Sequence, residues 1–334
     1  MIVSMKPFPI FVKPYEPGTE VAQIARLLAR AIPEEAVDEA RWVRQVLLDP
    51  NFDPACCLLA WDPSQTSPDA EPVGLAFGVV RRLPLENAPP DFDRGYLNLL
   101  GVAPEFRRRG VASLLLAELE KAFFALGART AQVSGYAPGY FAPGVEVHRQ
   151  APALQFLSRR GYREVYRPLA MEVSLWNFSI PDDVAALELR LRQESVELTA
   201  YEPSLTLPVL TFAKDEFQGD WVRFVREAMR DIVSGADPRR LIVARSRDSG
   251  RVLGFSHYGG ERFGPIGVAA DQRGRGIGLA LMHRTLEAQR LAGYRASWFL
   301  WSDDPTAAKI YDRAGFREVR RYALMRKDLV GGLQ

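Results

Sequence analysis

Cysteine and histidine are scarce in this chain, two of the one and three of the other among 334 residues. Two cysteines cannot staple a disulfide-built fold. They are also adjacent, Cys56 and Cys57, inside the apolar stretch from Ala55 to Trp61. Neighbouring strand residues face opposite ways, so buried thiols in a reducing compartment are expected rather than a bridge. Nothing in the spacing of these residues reads as a metal site. Long hydrophobic runs are missing as well. No segment reaches the roughly 18–20 apolar residues that span a bilayer, and no signal-peptide core opens the sequence, so a cytoplasmic protein is expected. An excess of one charge is absent too: 43 Lys and Arg stand against 41 Asp and Glu, a net +2. That balance excludes the basic surplus that a nucleic acid or an anionic membrane would call for. Only six of the basic residues are lysines, an arginine bias read here as genome composition. What remains is ordinary globular composition, 47% hydrophobic and 25% charged, at a length comfortable for two domains.

One short phrase occurs twice. Arg107, Gly110 and Ala112 read Arg-x-x-Gly-x-(Gly/Ala), and so do Arg273, Gly276 and Gly278. Each copy follows an apolar run ending in Gly-Val (Gly101-Val102, Gly267-Val268) and opens an apolar-periodic helix. Val111, Leu114, Leu115 and Leu119 recur at helical spacing in the first, Ile277, Leu281 and Leu286 in the second. A strand, a glycine turn and a helix start gather unpaired backbone N–H groups at one point, and the helix dipole adds partial positive charge there. Such a point suits a phosphate. Repetition of the whole context makes it a far stronger signal than a lone glycine turn.

The repeat involves whole domains. In the first half, Phe11–Tyr15 reads as an edge strand, Glu20–Ala31 and Val37–Leu48 as helices, and Cys56–Trp61 and Val73–Val80 as strands. Tyr96–Val102 precedes the first turn, Val111–Leu126 follows it, and a strand at Ala131–Ser134 leads to a short helix, Ala153–Arg160, ending at Gly161-Tyr162. The second half repeats this order. It has an amphipathic helix Phe217–Val233, a hairpin of Leu241–Arg245 and Val252–Tyr258 around Asp248-Ser-Gly250, and a pre-turn strand Gly264–Val268. The helix Ile277–Ala292, the strand Ala296–Trp301, a helix Thr306–Ala314 ending at Gly315-Phe316 and a strand Tyr322–Met325 complete it. The expected domains are residues 8–172 and 211–330, joined by a connecting segment, 173–210, with breaks at Pro181, Pro203 and Pro208.

This order of elements around Arg-x-x-Gly-x-(Gly/Ala) resembles the GNAT superfamily of acetyl-CoA-dependent N-acetyltransferases, present in tandem over nearly the whole chain. The resemblance is most specific from Val268 to Gly278, and downstream at Asp304, Ala307, Tyr311 and Gly315-Phe316. In the first half Leu157 stands where Tyr311 stands in the second. The loop from Pro138 to Gly144, followed by Val145 and Glu146, has no second-half counterpart. The resemblance implies an α/β (α+β) fold of two domains, each a mixed, mostly antiparallel twisted sheet flanked by helices with a splayed central strand pair.

It also implies site residues. The pyrophosphate of coenzyme A would lie on the backbone of Arg273, Gly274, Arg275, Gly276, Ile277 and Gly278, where a Cβ at either of the last two glycines would block close approach. Arg273 and Arg275 would add charge. The matching first-half groups are Val102, Arg107, Arg109, Gly110 and Ala112, a bulkier turn. The backbone of Val268 would pair with the thioester arm and polarise its carbonyl, while its side chain belongs to the core. A free alkylammonium titrates near pKa ~10.4 and must lose its proton before attack. Tyr311 is then the general acid for the departing thiolate, against the plainer reading of a packed helix tyrosine, a role typically worth ~10²–10⁴-fold. No carboxylate lies on Phe263–Gly267, so the base is sought at Glu261 or His257, with Asp303 and Asp304 nearby, or in a water chain to solvent; a lone strand histidine is more often structural. Tyr258, Trp298 and Trp301 would line the acceptor pocket of the second domain, and Tyr140 and Phe141 that of the first, unless that loop is only a rigid turn.

On this reading residues 211–330 hold the one working site, and the first domain is structural or binds acetyl-CoA without efficient turnover. The expected protein is an acetyl-CoA-dependent N-acetyltransferase acting on a small primary amine, as a monomer or homodimer. A non-catalytic acetyl-CoA sensor or interaction module, and a protein or peptide N-acetyltransferase, are the alternatives. Fold likeness alone does not choose the acceptor.

Overall fold

The computed structural model describes residues 10–329 apart from 17, 20, 66–69, 87, 138, 218 and 303–309. It divides into two compact units. The first takes the chain up to Pro84, then Pro89–Arg167 and everything from Tyr322 onward; the second takes Leu85–Ala88 and Pro168–Arg321.

In the first unit β1 (Phe11–Pro14), α1 (Val21–Ala31) and α2 (Glu39–Trp42) lead into β2 (Cys57–Trp61), β3 (Gly74–Arg81) and β4 (Asp91–Val102). Helix α3 (Val111–Ala125), β5 (Thr130–Val133), β6 (Val145–Glu146), α4 (Ala151–Arg159) and β7 (Arg163–Tyr166) follow. Helix α1 buries Ile24, Leu27, Leu28 and Ala31, an i, i+3, i+4, i+7 stripe. Strand β3 is buried along seven of its eight residues, as expected of a strand with both faces covered. The helix expected over Val37–Leu48 is shorter and changes pitch. Asp38 caps it by accepting the Arg41 N–H at 2.7 Å, and a wider turn over Val43–Leu47 follows, with Trp42 and Val46 both in the core.

In the second unit the expected connecting segment is itself structured. It supplies part of β8 (Leu169–Ser174), α5 (Asp182–Gln193), β9 (Val196–Ala200) and the start of α6 (Thr206–Glu216). Helix α7 (Trp221–Val233), β10 (Leu241–Ser246), β11 (Val252–Gly259), β12 (Arg262–Val268), α8 (Ile277–Leu291) and β13 (Ala296–Ser302) come next. Phe217 lies before α7 and stacks on Trp221 at 4.3 Å, so the amphipathic stretch begins as an aromatic cluster and becomes helical at Trp221. The last strand, β14 (Arg317–Asp328), gives residues up to Arg321 to the second unit and the rest to the first.

The strand order is β1-β2-β3-β4-β5-β14 in the first unit and β14-β8-β13-β12-β11-β10-β9 in the second. Pairing is antiparallel except for β4 with β5 and β12 with β13. Those parallel pairs are the two that flank the repeated turns. None of the described helices is long and apolar enough to cross a membrane.

Candidate active site

Strands β4 and β5 pair only from Arg94 and Thr130 to Leu97 and Val133. The Ser134 N–H closes the ladder on the Leu97 carbonyl at 2.7 Å, and the chain then turns away at Ser134, whose φ is +64°. Strand β4 runs on to Val102 without it. On the other side of β4 the register with β3 shifts, Leu97 facing Gly78 and Leu99 facing Phe77, which leaves Asn98 as an extra residue in a bulge. A cavity of about 550 Å³ opens where the strands part. Its walls are the end of β4, the first repeated turn and the start of α3, Val133 and Ser134, the segment from Phe141 to Val145, and Phe156 and Leu157 of α4. Glu34 and Glu35 are the carboxylates on the wall. Every lining residue belongs to the first unit.

The turn at this cavity is open. Gly110 stands at the N-cap of α3 with φ +86° and no side-chain cap. The helical ladder starts with the Leu114 N–H on the Gly110 carbonyl at 3.0 Å, so Val111, Ala112 and Ser113 present N–H groups ahead of it. A Cβ placed on Gly110 would meet nothing within 4 Å. Arg107 is a clamp: it donates to the carbonyls of Val102 at 3.1 Å and Ala31 at 3.0 Å, tying turn, strand and α1 together. Arg109 lies over the Phe106 ring at 5.3 Å. Arg108, on the cavity wall, adopts φ +63° where the second copy has Gly274 at +81°.

The second turn has the same backbone and a different environment. Gly276 sits at φ +90°, but a Cβ there would lie 2.8 Å from the Leu187 methyls of α5. Arg190 of α5 donates to the Arg275 carbonyl at 3.2 Å, and the Arg275 side chain pairs with Glu194 at 2.7 Å. Arg273 reaches back to the Val268 carbonyl at 3.3 Å, as Arg107 does to Val102. Ile277 is buried, and Gly278 packs near Val268 and Ile310.

Of the other expected second-half groups, Tyr258, His257 and Tyr311 are buried, while Glu261, Trp298 and Trp301 are partly exposed. Tyr311 is buried with its ring 4.4 Å from Phe299, beside Phe263 and Phe316. His257 occupies a bulge on β11, its Nδ1 3.1 Å from the Gly264 carbonyl and its Nε2 without a partner. Burial pulls its pKa down to about 4, so the ring is neutral. Glu261 lies in the β11–β12 turn, where its carbonyl accepts the Trp298 N–H at 3.0 Å. Burial pushes the Tyr258 hydroxyl up to about 12, and its ring meets Tyr294 edge-on. Trp298 and Trp301 are partly exposed on β13; Asp303, Asp304 and Ala307 lie outside the described residues.

In the first unit Phe141 is a buried wall of the cavity with Arg41 over its ring at 5.0 Å, and Tyr140 beside it is half-buried. Several residues went unremarked in the sequence, Glu34, Glu35, Arg108 and Asn98 on the cavity wall and Leu187 at the second turn among them. Asn98 is a buried amide on the wall whose Oδ1 has no partner; a lone polar residue in the apolar run Tyr96–Val102 was a readable signal. Leu187 over Gly276 had none.

A parallel strand pair beside a strand–glycine turn–helix is built twice along the chain, once in each unit. Residues 21–143 match the Acetyltransferase (GNAT) family and residues 237–318 the Acetyltransferase (GNAT) domain. The chain belongs to the GNAT acetyltransferase family and carries two of its domains in tandem. It is 33% identical over 87 residues to a mycothiol acetyltransferase of Frankia casuarinae, a match spanning 25% of either chain. Among solved structures it resembles a GCN5-related N-acetyltransferase from Sphaerobacter thermophilus (TM-score 0.67, 19% identity, 97% of both chains). It also resembles a tandem GNAT protein from the clavulanic acid biosynthesis pathway (TM-score 0.62, 14% identity, 96% of this chain and 99% of that one). A glucosamine N-acetyltransferase region in a fungal multi-domain protein aligns at TM-score 0.76 and 20% identity, with 96% of this chain covering 38% of that one. These structural likenesses carry the fold.

Proposed function

We propose that the protein transfers the acetyl group of acetyl-CoA to a primary amine, and that the cavity of the first unit is where the two meet. The observation that carries this is the pairing of an open N–H turn at Gly110 with a cavity of about 550 Å³ between parted strands. The N–H groups of Val111, Ala112 and Ser113 suit a pyrophosphate, and the free edge of β4 beyond Leu97 suits an amide-bearing arm. Apolar walls at Val133, Phe156 and Leu157 keep water from the thioester. Glu34 and Glu35 are the wall groups able to take the amine's proton. Leu157 supplies no acid for the departing thiolate, but an ordinary thiol titrates near pKa ~8.5 and leaves with less help than an alkoxide would need. The sequence favoured the second copy. The seat of Leu187 over Gly276 and the packing of Tyr311 favour the first.

A small acceptor is the reading supported by the enclosing loop at Phe141 and by a relative named for mycothiol. Free, buried Cys56 and Cys57 support a reducing, cytoplasmic setting. The test is acetyl-CoA-dependent thiol release over amino sugars, polyamines, amino acids, aminoglycosides and short peptides. Turnover with a small amine is expected, lost in Gly110→Trp and largely kept in Tyr311→Phe. The reverse pattern would move the chemistry to the second unit. Binding of acetyl-CoA without turnover on any amine would leave a sensor, the reading that Leu157 in place of a tyrosine favours.

A further inference from the structure

The two repeated turns have one backbone conformation. Arg107 and Arg273 share φ −66° with ψ 156° and 157°, and Gly110 and Gly276 have φ +86° and +90° with ψ −7° and +2°. The helices that follow are both 15 residues long. What differs is what stands in front of them. At Gly110 there is open space; at Gly276 the Leu187 side chain of α5 is in place, with two of its carbons 2.8 Å from the position of a Cβ. Leu187 packs there with Ile277, Ala280 and Leu281, and Leu191 one turn further on is fully buried.

Polar contacts hold α5 in that seat along its length. Asp183 pairs with Arg313 at 2.7 Å, Glu188 with Arg284 at 2.9 Å, and Arg190 donates to the carbonyl of Arg275. Just past the helix Glu194 takes the Arg275 guanidinium, which in turn holds the Glu194 carboxyl below its ordinary range. Exposed pairs of this kind are individually weak. The buried leucine and valine positions, Val184 and Leu191, supply the larger share of the hold. The Arg275 guanidinium is therefore already paired, and the Leu187 side chain stands in front of Gly276.

Resting on the reading of the first unit given above, we propose that α5 occupies the coenzyme's phosphate seat on the second turn. The chain then takes one acetyl-CoA, at Gly110, and its second unit is a coenzyme-free copy of the first. Helix α5 does for the Gly276 turn what the coenzyme does for the Gly110 turn: it covers the exposed N–H groups and neutralises the arginine beside them.

Amide hydrogen exchange of the full chain, with and without saturating acetyl-CoA, tests this alongside calorimetric stoichiometry. Exchange should slow at residues 111–113 and stay unchanged at 277–279, with one equivalent bound. Slowing at 277–279, or two equivalents, overturns the proposal; no slowing at 111–113 sinks the first-unit reading instead. In Leu187→Ala combined with Arg190→Ala, exchange at 277–279 should rise in the free protein and fall when acetyl-CoA is added. If the uncovered turn stays indifferent to the coenzyme while the variant melts as a folded protein, α5 is not what closes it.

Discussion

At the scale of single residues, burial at the β11 bulge leaves the His257 ring with one polar contact, the Gly264 carbonyl, and removes the water that would solvate a charge. Arg240 and Arg262 add repulsion, opposed by Asp231, and the pKa falls from 6.5 to about 4. Above pH ~6.5 neither state is protonated and His257 contributes no pH dependence. Between about 6.5 and 4 the unfolded chain binds a proton that the folded chain refuses. Stability then drops by up to ~1.4 kcal/mol per pH unit, about 3 kcal/mol in all, and levels off below pH ~4. Denaturant unfolding at pH 7.5, 6 and 5 should therefore show a shallower loss in His257→Gln than in the natural chain; parallel losses would mean the ring is not held neutral. A catalytic base with its pKa drawn so low would be a weak one near neutral pH, which agrees with a structural role. The thiols of Cys56 and Cys57, pushed upward by burial, are inert for the same reason.

Elements and their order were legible in the sequence because each rests on local periodicity or on a turn residue. The stripe of Ile24, Leu27 and Leu28 marks α1, and Gly110 and Gly276 mark helix starts that need a left-handed residue. What stands in front of each turn was not legible. Whether hydrocarbon covers Gly276 depends on the path of α5, more than 80 residues earlier in the chain, and no spacing rule places Leu187 there. The signature around Tyr311 is read from local spacing alone. It describes a helix that packs against Phe299 and Phe316 as well as it describes a catalytic one. The turn of the first unit adds its own prediction. Arg108 holds a left-handed conformation that costs a non-glycine residue roughly 1–2 kcal/mol, yet it is an arginine on the cavity wall. Arg108→Gly relieves that strain but gives the unfolded chain more freedom, about 0.5–1 kcal/mol, so the melting temperature should barely move. Affinity for acetyl-CoA should fall about fivefold, the loss of one screened charge contact of ~1 kcal/mol. Unchanged affinity in calorimetry would show that the guanidinium is not used.

On the scale of the whole molecule, the boundary between the units is not a cut between the two halves of the sequence. Strand β14 pairs with β8 through Arg317–Arg321, then with β5, β6 and β7 through Tyr322–Asp328. The end of the chain therefore completes the sheet of the unit that contains its beginning. Tyr322, Leu324 and Met325 are buried there, each worth about 1.5–3 kcal/mol against a typical domain stability of ~5–15 kcal/mol. The backbone of Ala323 lies against Gly144 on the cavity wall, closely enough that a Cβ on that glycine would meet its carbonyl at 2.5 Å. Lys327 pairs with Glu120 at 2.7 Å, and Tyr162 donates to the same buried carboxylate at 3.0 Å. Ending the chain after Arg321 would strip β5 of a neighbour, leave Glu120 without its cation and remove the support of the Phe141–Val145 wall. Such a truncation should lose the thermal transition of the first unit and all acetyl-CoA binding. The second unit keeps its own β14 residues and should still melt cooperatively. A peptide of residues 322–334 added back at high concentration should restore part of the binding by re-forming the strand. If the truncated chain binds acetyl-CoA as tightly as the full one, either β14 is not needed for the first cavity or the coenzyme is held in the second unit, and hydrogen exchange at residues 111–113 and 277–279 separates those two outcomes.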